Sequence, residues 1–236
     1  TGQNNLCLAG GVALNCVANS KISKIEKLKN IWIQPASGDA GGALGAALSG
    51  YYFLNKDKVK RDTSLNYQRG SLLGNKFEND YIKDTLESLN FKYDFYPNDE
   101  RNELISNSLI DQKIIGLFIG KMEFGPRALG SRSIIANPSD PTMQKRLNLK
   151  IKYRESFRPF APSVLEEDLQ EWFDLNHNSP YMLMVAKIAK EKQLKMNENQ
   201  QKLFGIDKLN ITRSKIPAVT HVDYSARIQT VHKDTN

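Results

Sequence analysis

Twice within the first 54 residues, a short apolar run ends in a turn-forming stretch and gives way to residues with helical spacing. LCLAGG leads into VALNCVANSKISKI, and IWIQP, stopped by Pro35, leads into ASGDAGGALGAALSGYYFL. Short runs rich in β-branched and aromatic side chains read as strands, and the glycines behind them let the backbone turn sharply. A strand–turn–helix unit that repeats can bury its apolar faces only by stacking into a layered α/β structure. The expected fold class is therefore α/β.

The stretch 55–71 is charged and turn-rich with neither helical nor strand period, and it reads as a linker. Beyond it, DYIKDTLESL and ERNELISNSLI have helical spacing, and FKYDFY alternates like a strand. KIIGLFIG is an apolar strand that delivers the chain to the loop KMEFGPRALGSRS. SIIAN reads as a strand, and PTMQKRLNLKI as a helix with Pro141 at its start. LEEDLQEWF (helix), the apolar run YMLMVAKI, and PAVTHV and ARIQTV (strands) complete a mixed α/β second part, with KEKQLKMNENQQKLFG as a polar helix or insertion. The start lacks Met and a basic leader before its apolar run, and reads as a cut within a longer protein. No apolar run reaches membrane-spanning length, so no membrane partner is expected, and the use of only two cysteines fits a reducing cytoplasm.

Charge narrows the partners. The chain carries a formal +7 with a pI near 9.2, which favours polyanions or phosphorylated small molecules. From Lys121 to Arg158 there are nine basic and three acidic residues, set among Gly, Ser, Asn and Pro. Arginines among small residues suit a compact phosphate pocket; a solvated basic face is the plainer alternative. No nucleic-acid reading module is recognisable, which argues against a nucleic-acid partner. Cys7 and Cys16 do not make a disulfide framework, and both are expected to be small buried apolar residues.

Three constellations carry chemistry. Gly10, Gly11 and Asn15 stand between a strand and a helix, where backbone amides can approach an anion, or where two glycines merely make a tight turn. Asp39, in SGDAGGALG, follows a strand and opens a helix; it is either a metal ligand or a helix cap. The third is KMEFGPRALGSRS with Asn137 downstream: Lys121, Arg127 and Arg132 supply cations, and Ser131 and Ser133 supply hydroxyls after an apolar strand. Lys152, Arg154 and Arg158 follow in KYRESFRPFAPS, and Arg227 in SARIQTV.

These blocks together carry a resemblance. LCLAGGVALNCVANSKI, QPASGDAGGALGAAL, GKMEFGPRALGSRSIIANP, NLKIKYRESFRPFAPSV and THVDYSARIQTV resemble successive signatures of the O-carbamoyltransferases of the nodulation and antibiotic-tailoring type. The resemblance implies that residues 1–54 close an actin-like, RNase-H-like ATPase-fold domain, and that residues 72–236 form most of a YrdC-like domain truncated at its C-terminal end. It implies an enzyme that makes carbamoyl-adenylate from carbamoyl phosphate and ATP, then transfers the carbamoyl group to a hydroxyl-bearing small-molecule acceptor. On this footing Lys121, Arg154 and Arg227 are the catalytic set, with Arg127, Arg132, Arg158, Ser133 and Asn137 binding phosphates and nucleotide. Gly10, Gly11 and Asn15 would hold the adenylate, and Asp39 would be one ligand of a divalent metal, iron in the family. The family's remaining metal ligands lie upstream of Thr1, and an NTSFN-type segment lies beyond the ARIQTV region, so full transfer is not expected of this stretch alone. A YrdC-type RNA- or nucleotide-binding module and a tRNA threonylcarbamoyl-type enzyme are the alternatives.

Overall fold

A computed structural model of the chain describes residues 2–56 and 67–233. Part of the expected linker, 57–66, lies outside the described residues. The architecture is mixed α/β, built on three small sheets.

The first two strand–turn–helix units form as read. Strands β1 (Asn5–Leu8) and β2 (Asn30–Ile33) pair in parallel with Cys7 opposite Trp32. The connection between them is a tight helical turn over Gly11–Leu14 followed by α1 (Cys16–Ile22), and β2 leads into α2 (Asp39–Leu54). The long apolar series in the first unit thus breaks at Asn15, whose side chain accepts a hydrogen bond from the Ala18 N–H and caps α1. Both cysteine expectations change: Cys7 is exposed and Cys16 half-buried. The outer face of the two-stranded sheet is open, and alternate side chains of β1 point into it.

After α3 (Asn79–Ser88) and α4 (Asn98–Ile110), strands β3 (Ile115–Phe118) and β4 (Arg132–Ile135) make an antiparallel pair, with the GPRALG loop between them. FKYDFY has the alternation of a strand but no partner among the described residues, because β3 pairs with β4 alone; without a ladder, alternation does not make a strand. The helix α5 (Met143–Arg146) widens into a π-turn over Leu147–Ile151. The last sheet holds β5 (Ser163–Leu165), β6 (Met184–Lys187) and β7 (Ser225–Val231), with α6 (Leu169–Trp172) between β5 and β6. Its order is β5-β7-β6, so β7 is central, parallel to β5 and antiparallel to β6. PAVTHV is not a strand: Pro217 opens a single helical turn, Pro217–Val219, and the chain joins the sheet only after a turn at Tyr224 with φ 64°.

Burial follows this order. Ala226 and Ile228 of the central strand are fully buried, with Leu169, Phe173, Ile188, Ile216 and Val219 packed about them. A second core joins the first two strand–turn–helix units to the later part of the chain: Ala13 and Ile33 meet Leu129 and the run Tyr181–Met184. Polar contacts specify that seam. The buried Asn19 of α1 donates to the carbonyls of Ala13 (2.8 Å) and Leu183 (3.1 Å), and Ser20 Oγ accepts from the Val185 N–H (2.7 Å). The last residues of the expected linker are also packed: Ser71 is fully buried, and its carbonyl accepts from the Phe124 N–H. Among the described residues no helix is long and apolar enough to cross a membrane.

Candidate anion-binding site

The β3–β4 loop is folded around one carboxylate. Glu123 Oε1 accepts the backbone N–H groups of Leu129 (2.8 Å), Ser131 (2.7 Å) and Arg132 (3.1 Å). Burial pushes its carboxyl up, but these N–H donors outweigh that and hold it below the usual range, so it stays ionised. Gly125 lies in the left-handed region at φ 124°, and a Cβ there would come within 3.2 Å of Ala36 Cβ. The loop therefore docks on the Pro35–Ser37 turn that opens α2. Its other end is held by Gln229 of β7, whose Nε2 donates to the Leu129 carbonyl (2.8 Å).

This docking directs Arg127 toward the first turn of the chain. One Nη donates to the Leu14 carbonyl (3.2 Å), while Nε is buried with no hydrogen-bond partner. Arg227 projects from β7 opposite Val185. Burial lowers the Arg227 pKa, the neighbouring Arg127 and Arg154 lower it further, and the Cys16 thiol opposes them. Arg154 is aimed by the fully buried Asn148 on the π-turn: Oδ1 accepts from Arg154 Nε (2.7 Å), while Asn148 Nδ2 donates to the Ser156 and Arg158 carbonyls. Three guanidiniums, from the β3–β4 loop, the segment after the π-turn and β7, thus gather beside the Leu14–Cys16 bend. Among the described residues the arginines paired with carboxylates are Arg146 (to Asp140) and Arg158 (to Glu155); none of these three is.

The other predicted residues fall elsewhere. Arg158 is bound to Glu155 (3.2 Å) at the surface. Arg132 stacks on Phe118, 3.5 Å from the ring centroid, and donates to the carbonyls of Ile119, Ser131 and Gly120, so its fork serves the loop backbone. Ser133 Oγ accepts from the Gly130 N–H, and Asn137 Oδ1 accepts from the N–H and hydroxyl of Ser139. Lys121 is exposed on the same loop. Gly10 has φ 94°, and neither Gly10 nor Gly11 has a neighbour within 4 Å of where a Cβ would stand, so the turn faces open space. Asn15 Oδ1 is committed to capping α1.

Asp39 is exposed in the first turn of α2, one residue past the Gly38 cap position. Among the described residues no group of three His, Cys, Asp or Glu side chains could hold a metal ion. Asp39 alone does not complete a metal site among the described residues. A cleft of about 980 Å³, lined by no arginine, lies between α1 (Ser20), Lys24 and the 173–177 segment. Glu123 escaped sequence reasoning; its signal was a single acid in an otherwise basic loop.

The family model for the carbamoyltransferase C-terminus matches residues 106–236, and that for the carbamoyltransferase N-terminus matches residues 1–48. The chain belongs to the carbamoyltransferase family. It is similar to the nodulation protein NolO of Bradyrhizobium diazoefficiens, with 36% identity over 100% of this chain and 39% of the relative. It is 32% identical to nodulation protein U of Azorhizobium caulinodans, over 97% of this chain and 34% of the relative. A Synechocystis protein, sll1178, is 54% identical over 100% of this chain and 38% of its own length. The chain thus spans about two fifths or less of the length of these relatives. The seam through Asn19 and Arg127 joins the two matched regions.

Proposed function

We propose that this region of the carbamoyltransferase binds carbamoyl phosphate and the phosphates of ATP at the Arg127–Arg154–Arg227 cluster and promotes formation of carbamoyl-adenylate. Water first cleaves carbamoyl phosphate to carbamate and phosphate. A carbamate oxygen then attacks the α-phosphorus of ATP with pyrophosphate as the leaving group. An acceptor hydroxyl finally attacks the carbamoyl carbon, losing its proton, with AMP as the leaving group. The observation that carries the reading is three guanidiniums gathered in one place, none of them paired with a carboxylate among the described residues. Such a cluster is repulsive when empty and is relieved by a multiply charged anion. Two of its members are already aimed, Arg127 by the Leu14 carbonyl and Arg154 by Asn148, so less conformational freedom is lost on binding. Lys121, exposed on the same loop, is the residue we propose to add a point charge to the ligand.

The full-length protein given ATP and carbamoyl phosphate is expected to release pyrophosphate only when both are present. ATP turnover indifferent to carbamoyl phosphate would sink the reading. Hydrogen bonds to charged groups contribute about 1.5–3 kcal/mol each. Arg154→Ala and Arg227→Ala are accordingly expected to raise KM for carbamoyl phosphate by roughly ten- to a hundredfold, with the thermal transition preserved. Unchanged kinetics in both variants would remove the cluster from the site.

A further inference from the structure

The turn that launches β7 is locked by side chains that the phosphate site does not use. The His221 N–H donates to the Ser225 carbonyl (2.7 Å) and the Tyr224 N–H to the His221 carbonyl (3.0 Å). Asp223 Oδ1 accepts both the N–H (3.0 Å) and the Oγ–H (2.7 Å) of Ser225, and Oδ2 pairs with Lys187 Nζ on β6 (3.1 Å). Arg213, almost fully buried, donates to the carbonyls of His221 (3.2 Å) and Thr220 (2.9 Å) from outside the turn.

Proton bookkeeping then settles the imidazole. Ser225 has one hydroxyl proton, and it goes to Asp223, which is ionised and can only accept. Ser225 Oγ must therefore accept from His221 Nδ1, 2.9 Å away. His221 carries its proton on Nδ1, and the bare Nε2 is buried with no partner. Burial lowers the His221 pKa; Asp223 opposes this, and Arg227, Arg213 and Lys187 lower it further. Among the described residues, those four are the charged groups whose fields reach the ring. Ser225 and Arg227 lie two residues apart on β7 and so project from the same face of the sheet. Whatever fixes Ser225 fixes the starting point of Arg227.

We infer that His221 is a positioning residue: through Ser225 and Asp223 it sets where Arg227 meets the phosphate ligand, and its ring responds to the charge bound there. The inference rests on the carbamoyl-phosphate reading above. Linkage makes it testable, because an anion at Arg227 must raise the proton affinity of a ring that Arg227 otherwise opposes.

In the full-length protein, His221→Phe removes the donor, while His221→Asn keeps an N–H near the Nδ1 position. The Phe variant is expected to raise KM for carbamoyl phosphate about tenfold, an effect of displacement rather than of lost contact, with kcat largely retained and Asn restoring most of the loss. Histidine NMR of the wild type should show the His221 titration moving to higher pH when inorganic phosphate is added. Equal KM in wild type and the Phe variant, an Asn variant no better than Phe, or a titration indifferent to phosphate would each overturn the inference alone. Failure of the wild type to bind phosphate or carbamoyl phosphate would overturn the underlying reading with it. A Phe variant that does not fold leaves the Asn variant and the wild-type titration to decide.

Discussion

Two carboxylates do the local organising, and neither touches the proposed ligand. Asp223 gathers Ser225 and Lys187 about the start of β7; burial pushes its carboxyl up, but those donors bring it down to about 2 from 3.8. A depressed carboxyl contributes stability that is present above the unfolded pKa and disappears as pH falls through the folded one. Asp223→Asn should therefore be less stable than the wild type at pH 7, with the gap closing between about pH 4 and pH 2; a gap constant with pH would show that the charge is not what matters. Glu123 acts in the same sense on the β3–β4 loop, since truncation to Ala leaves three N–H groups without their acceptor. At about 1–3 kcal/mol for a buried unsatisfied group, and with the loop able to admit water, Glu123→Ala is expected to cost roughly 2 kcal/mol in denaturant titration. It should also weaken carbamoyl phosphate use, because the same loop aims Arg127.

Elements were legible where local pattern and tertiary context agreed. The two strand–turn–helix units, α3, α4, β3, β4 and β7 form where apolar spacing placed them, because each carries its own period or glycine stop. PAVTHV fails because a β-branched run says nothing of Pro217 opening a helical turn or of the buried Arg213 collecting the carbonyls around it. Cys7 fails because strand alternation in β1 leaves it on the open face. The site was partly legible: basic residues among small ones marked the loop, but composition cannot tell Arg127 from Arg132. The difference is the neighbourhood, a single distant carbonyl, that of Leu14, for one, and three loop carbonyls with the Phe118 ring for the other. One glycine can be tested as an element-scale constraint. A Cβ at Gly41 would lie 2.0 Å from the Ala36 carbonyl oxygen, backbone that cannot swing aside. Overpacking typically costs about 1–3 kcal/mol, so Gly41→Ala should lower stability by that order in chemical denaturation while Gly45→Ala, with open space, does not.

At the scale of the molecule, the question is whether the two family-matched regions behave as one body. The proposed site needs them to, because Arg127 belongs to one region and reads the Leu14 carbonyl of the other. The seam is built for it: Ala13 and Ile33 share a core with Leu129 and Met184, and Asn19 divides its amide protons between the Ala13 carbonyl on its own side and the Leu183 carbonyl across the join. An amide whose two acceptors lie on different segments stabilises only when both are folded, which couples their unfolding. Trp32 of β2 and Trp172 of α6 report on the two sides. Single-tryptophan variants, Trp32→Phe and Trp172→Phe, are expected to give coincident unfolding midpoints, since a cooperative body presents one transition to every probe. Adding Asn19→Ala strips the donors from two carbonyls, one on each side, and should shift both midpoints downward together. Midpoints that separate in the parent variants would show that the halves fold independently, and the arginine cluster would then need the rest of the protein to hold it shut.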